Sequence, residues 1–130
     1  MRELSWQTRI SRTVSLLSLL LMEESLGGRF TSYIYRSDDG ITVEHMIEVY
    51  RAVEAARDRM GDLLGSATRV IERLAKPDAL GRQVTERAVY EFTERGETLF
   101  ADIWIDGSTV HSVRSKSLPH IRAIENKCTR

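Results

Sequence analysis

The chain has 130 residues, nineteen basic and nineteen acidic side chains, and a hydrophobic fraction of 42%. These totals exclude an extended disordered chain, suffice for one domain over residues 1–130 with an ordinary core, and leave no net charge to draw the protein to nucleic acid. A lone cysteine, Cys128, excludes a disulfide framework within the monomer and fits a reducing compartment.

Residues 4–25 read as a helix, because Ile10, Val14, Leu17, Leu20 and Leu21 recur at three- and four-residue spacing. The run Val14–Met22 follows Arg2, Arg9 and Arg12 in the manner of a signal peptide. It is shorter than the roughly 20 apolar residues a membrane span needs, and Glu23 and Glu24 follow it with no small-residue cleavage site. A buried helix, central to the core or to a dimer interface, is the expectation, in a cytoplasmic protein with no membrane partner. Gly27-Gly28 stops that helix. Phe30–Tyr35 alternates and reads as a short strand, and Ser37-Asp38-Asp39-Gly40 reads as a turn. A second helix is expected from Thr42 onward, with Val43, Met46, Ile47, Tyr50, Val53 and Met60 as its apolar stripe, so residues 1–65 read as mainly helical.

Ser66 is placed to cap a third helix over residues 67–76, which Pro77 ends. Ala88–Phe92 is the strongest strand signal. The stretch Leu99–Ile105 fits a helical period as well as a strand period. In the strand reading Glu94-Arg95-Gly96 and Asp106-Gly107 make two hairpin turns, which pair Ile103 with Val110 and Asp102 with His111. Residues 115–130 form a basic tail carrying Lys116, His120, Arg122, Lys127 and Arg130.

The helix expected over 67–76 has an inner face of Val70, Ile71 and Leu74 and outward donors suited to base edges and phosphates. Ser66, Thr68, Arg69, Arg73 and Lys76 are its candidate DNA contacts, with Arg82, Gln83 and Arg87 beside them for flanking phosphates. The pattern Tyr90-x-Phe92-Thr93-Glu94-x-Gly96-x-x-Leu99-Phe100 resembles the wing-strand exit of winged-helix regulators of the MarR, PadR and HxlR type, with Phe92 where leucine is usual. Arg69-Val-Ile-Glu-Arg-Leu74 is similar to the helix that precedes the wing in those families. The resemblance implies an α+β winged helix-turn-helix, a homodimer that binds double-stranded DNA and regulates transcription.

The order helix, strand, helix, then several strands also resembles the α+β cone of nuclear transport factor 2 and the SnoaL-type polyketide cyclases. That resemblance implies a small-molecule or isomerase-type pocket near Asp102 and His111, flanked by Phe100 and Trp104. No other catalytic signature stands out. His45, His111 and His120 lack metal-ligand spacing, and no phosphate-binding glycine loop or nucleophile elbow is present, so neither metal nor cofactor is expected.

Overall fold

The computed structural model describes residues 6–10 and 29–128. Seven strands, each antiparallel to its neighbours, form one sheet in the order β1-β2-β3-β7-β6-β5-β4. The strands are β1 (Trp6–Ile10), β2 (Arg29–Ser37), β3 (Thr42–Val49), β4 (Arg69–Pro77), β5 (Gln83–Glu94), β6 (Glu97–Asp106) and β7 (Thr109–Ser115). Helix α1 (Val53–Gly65) lies between β3 and β4, and helix α2 (Leu118–Cys128) follows β7. The winged helix-turn-helix is thereby corrected: the segment expected to be a recognition helix is strand β4, the first of the four-stranded meander β4–β7. The molecule belongs with the sheet-rich α+β alternative.

The two helices cover opposite faces of the sheet. Ala56 and Met60 of α1 pack with Tyr50 on Ala88, Tyr90, Phe92, Ala101, Ile103 and Val110. Ile121 and Ile124 of α2 pack on Val43 and Val113, with Tyr35, Phe100 and Trp104 around them. Strand side chains alternate between faces. Ala101, Ile103 and Ile105 therefore meet α1, while Phe100 and Trp104 meet α2. This two-sided burial explains why Leu99–Ile105 carries apolar residues at both parities and mimics a helical period.

The same cause overturns the helix expected from Thr42. Met46 lies on one face of β3 and Val43, on the other, is fully buried, so their spacing looks helical although the backbone is extended. The β-branched Thr42, Val43, Ile47 and Val49 suit the pleated ladder. The helix begins only at Val53. At the start of the chain, residues 6–10 pair with β2 as a strand where a helix was expected, and residues 11–25 of that helix lie outside the described residues. The strand at 30–35 and the turn at 37–40 are present, with the Gly40 N–H bonded to Ser37 O at 3.0 Å.

The Glu94–Glu97 hairpin turns on Arg95 and Gly96, both at positive φ, 52° and 77°, which is the twist a two-residue turn needs. Gly107, with φ 60°, opens the next turn. The register of that hairpin differs from expectation by two residues: Val110 faces Ile105, and Asp102 faces Val113. The basic tail carries helix α2, which packs on the sheet with Ile121 and Ile124 0% and 1% exposed. Among the described residues, no helix is long and apolar enough to cross a membrane.

Candidate functional site

The eight residues expected to contact DNA fall along the β4–β5 hairpin and the loop that leads into it. Ser66 stands at the C-terminal end of α1, not at a helix start, and its Oγ donates to Leu63 O at 2.7 Å. Thr68 begins the approach to β4, its N–H donating to Glu91 O at 2.7 Å. Arg69, Arg73 and Lys76 lie on an extended strand, so no helix presents them to a groove. Carboxylates answer most of these cations: Arg69 Nε reaches Glu91 at 3.0 Å, Lys76 Nζ reaches Glu86 at 3.4 Å, and Arg82 Nε reaches Asp78 at 2.8 Å. Arg87 is shared among Glu72, Asp102 and Glu125. Cations matched locally have little field left to attract a phosphate backbone.

Arg73 differs. Its Nε donates to the Thr85 hydroxyl at 2.9 Å, and it takes part in no ion pair among the described residues. It is a wall residue of a cleft of about 290 Å³ between α1 and the β4–β5 hairpin. A second cavity of about 200 Å³ shares Arg57, Asp78 and Val84 with the first and extends the groove past the N-terminal end of α1. Irregular pairing shapes this wall. The register shifts twice, with Ile71 the extra residue in β4 and Glu86 the extra residue in β5, as bulges at sheet edges do. The hairpin loop is built on Asp78, whose Oδ1 accepts the N–H groups of Leu80 and Arg82, each at 2.9 Å. Burial works against the Asp78 charge, but the Arg82 and Leu80 N–H groups and the Arg82 guanidinium outweigh it and hold the carboxyl below its ordinary range.

Within the cleft, Arg57 is paired with Glu54 at 3.2 Å and Arg82 with Asp78. Two charges of the cleft enter no ion pair among the described residues: the Arg73 guanidinium on the sheet side and the Asp58 carboxylate on α1. Leu64 provides apolar surface between the polar walls, over the buried Met60. Of the residues singled out in the sequence, Arg73, Arg82 and Gln83 meet here, and Asp58 was missed. An acidic residue on an exposed helical turn carries no signal until the facing strand is in place.

On the opposite face, the expected acid–base pair does not form. Asp102 and His111 share a face but stand two positions apart on the ladder, His111 lying across from Trp104. His111 Nδ1 meets His45 Nε2 at 3.0 Å, and its ring stacks on Trp104 at 4.8 Å with an interplanar angle of 5°. Burial lowers the pKa of both imidazoles, that of His45 to about 4, so the pair is held neutral. Asp102 is fully buried against Arg87, with Nε–Oδ1 and Nη2–Oδ2 each at 3.4 Å, while the same guanidinium reaches Glu125 of α2 at 2.7 Å. Burial and the neighbouring Glu125 push the Asp102 carboxyl up to about 8, against the pull of Arg87. This cluster fastens α2 to the sheet.

A third polar group crosses the start of α2. Ser117 precedes the first helical residue, its Oγ lies 2.5 Å from His120 Nδ1, and His120 Nε2 lies 3.2 Å from Asp39 Oδ2 in the β2–β3 turn. Asp39 in turn accepts from Ser37 Oγ, and that bond, then burial against it and His120 with it, hold its carboxyl below the ordinary range. Among the described residues no group of three or more His, Cys, Asp or Glu side chains is placed to hold a metal ion. No family model, curated protein or solved structure matches the chain, so its chemistry is read from its own geometry.

Proposed function

We propose that the chain is a binding module for a small zwitterion, a free amino acid or the like, held in the cleft between α1 and the β4–β5 hairpin. The observation that carries this reading is the pair of unmatched charges, Arg73 and Asp58, on facing walls of a cleft whose other charges are paired. A guanidinium offers two parallel N–H donors to a carboxylate, and a carboxylate across the cleft accepts from an ammonium. Leu64 then lies against an apolar side chain. The volume is at the lower end of the range for ligand pockets, about 300–1,000 Å³, which suits a compact ligand. The reading needs neither duplex DNA nor a second copy of the chain.

The test is a ¹H–¹⁵N titration with leucine, N-acetylleucine and leucinamide. Leucine is expected to move the amides of residues 58–64 and 73–85. Removing either end charge should weaken binding by at least about tenfold, the worth of a hydrogen bond to a charged group. Arg73→Gln should lose the carboxylate preference first. Equal shifts from all three compounds, or none at millimolar concentration, would overturn the proposal.

A further inference from the structure

Ser117, His120 and Asp39 come together from two ends of the chain, and their connectivity is that of a nucleophile, a base and an orienting acid. The Ser117 hydroxyl is 2.5 Å from His120 Nδ1, and the other ring nitrogen is 3.2 Å from the Asp39 carboxylate. An imidazole that donates through one nitrogen must accept through the other when neutral. With Nε2–H directed at Asp39, Nδ1 is the acceptor and the Ser117 O–H is the donor. The ring nitrogens are exchanged relative to the usual serine-hydrolase order, yet the logic of an activated nucleophile is kept: hydroxyl and base within hydrogen-bond reach, and the base held by a third group.

The surroundings favour this chemistry. His120 is 9% exposed, Ser117 is half-buried and reachable, and Asp39 is exposed with a carboxyl held ionised by Ser37 and His120. Ser117 also caps α2, since the His120 N–H donates to its Oγ at 3.4 Å and the Ile121 N–H to its carbonyl at 3.2 Å. The serine therefore sits at the positive end of an 11-residue helix, where negative charge developing on an adjacent oxygen is stabilised. A cap alone needs only the serine and the backbone. It does not need a histidine in the third helical position carrying an aspartate on its far nitrogen.

We infer that Ser117, His120 and Asp39 form a second functional site, a nucleophilic serine that accepts acyl groups from small activated carboxylic esters. In the first step Ser117 Oγ forms a bond to the carbonyl carbon, its proton passes to His120 Nδ1, and the ester C–O bond breaks as the leaving alcohol takes that proton. In the second step a water oxygen bonds to the acyl carbon, its proton passes to Nδ1, and the Oγ–acyl bond breaks. The acid departs and the serine recovers the proton. Asp39 acts as a positioning residue, holding the imidazole and balancing the charge it carries within each step, while the proton is on Nδ1. The site lies on residues distinct from those lining the cleft, so it stands or falls independently of the zwitterion.

The test uses a fluorophosphonate probe with peptide mapping, followed by p-nitrophenyl acetate turnover. The expected result is a single adduct on Ser117 and an initial burst of nitrophenol of about one equivalent, as acyl-enzyme accumulates. Ser117→Asn retains a good helix cap and lacks the nucleophile, so it should keep the far-ultraviolet dichroism and lose adduct and burst together. Asp39→Asn should lower kcat while leaving KM in place, a split that a merely structural contact would not produce. No adduct, an adduct on another serine, or labelling of Ser117→Asn equal to that of the parent chain would overturn the assignment.

Discussion

Replacing Asp102 by asparagine should change the way stability depends on pH. The carboxyl is fully buried, and its folded-state pKa is about 8 against an ordinary 3.8. Between those values it is protonated in the folded chain and ionised in the unfolded one. The folded state then binds the extra proton, so its contribution is full below pH 3.8 and is lost as pH rises toward 8. The slope for one such proton is at most about 1.4 kcal/mol per pH unit, or about 3 kcal/mol between pH 5 and 7. Asn carries no such proton, and its carbonyl oxygen and amide can still face Arg87 and Glu125. Urea denaturation of both chains at pH 5, 6 and 7 measures the difference directly. The parent should lose stability relative to Asp102→Asn across that range, with the amide variant the more stable at pH 7. Parallel curves would refute a proton held on the buried Asp102 carboxyl.

Three further outcomes test the packing. Ile121→Ala empties the centre of the α2 contact, where the side chain is 0% exposed, and should cost about 2–5 kcal/mol in urea denaturation. Arg59→Ala removes a donor to Glu48, whose Oε1 also accepts from Tyr50 at 2.7 Å and whose Oε2 is buried without a hydrogen-bond partner among the described residues. A buried carboxylate deprived of its cation should lower stability by about 3 kcal/mol, seen as a fall in the thermal midpoint. Arg95→Asn relieves a left-handed backbone with φ 52° that asparagine tolerates better, and a gain of about 0.5 kcal/mol in differential scanning is expected.

Local chemistry was legible wherever a turn demands a particular residue. Gly96 and Gly107 marked their hairpins because positive φ is open chiefly to glycine, and the Ser37–Gly40 turn and the strands around Phe30 and Ala88 were readable for the same local reasons. Arg73, Arg82 and Gln83 were singled out as polar and outward, and they do line the cleft. The helix expected to carry Arg73 is strand β4, and Arg82 and Gln83 stand in the loop and strand that follow it. Residues 69–77 have respectable helix formers, but pairing with β5 and cross-strand ion pairs outweigh a propensity difference of tenths of a kcal/mol per residue.

By itself the sequence determined a neutral, well-cored chain, the positions of its sharp turns and the alternation of its best strands. Each of these depends on neighbours within a few residues. The tertiary structure decided that β3 pairs with β7 across some 65 residues, and that helices cover both faces of the sheet. It also decided that Arg73 and Asp58 line one cleft, and that Asp39 reaches a histidine eighty-one positions away. A sheet buried on both sides loses the clean period of two that marks a strand. Pairings between distant segments are set by long-range packing, which no local pattern records.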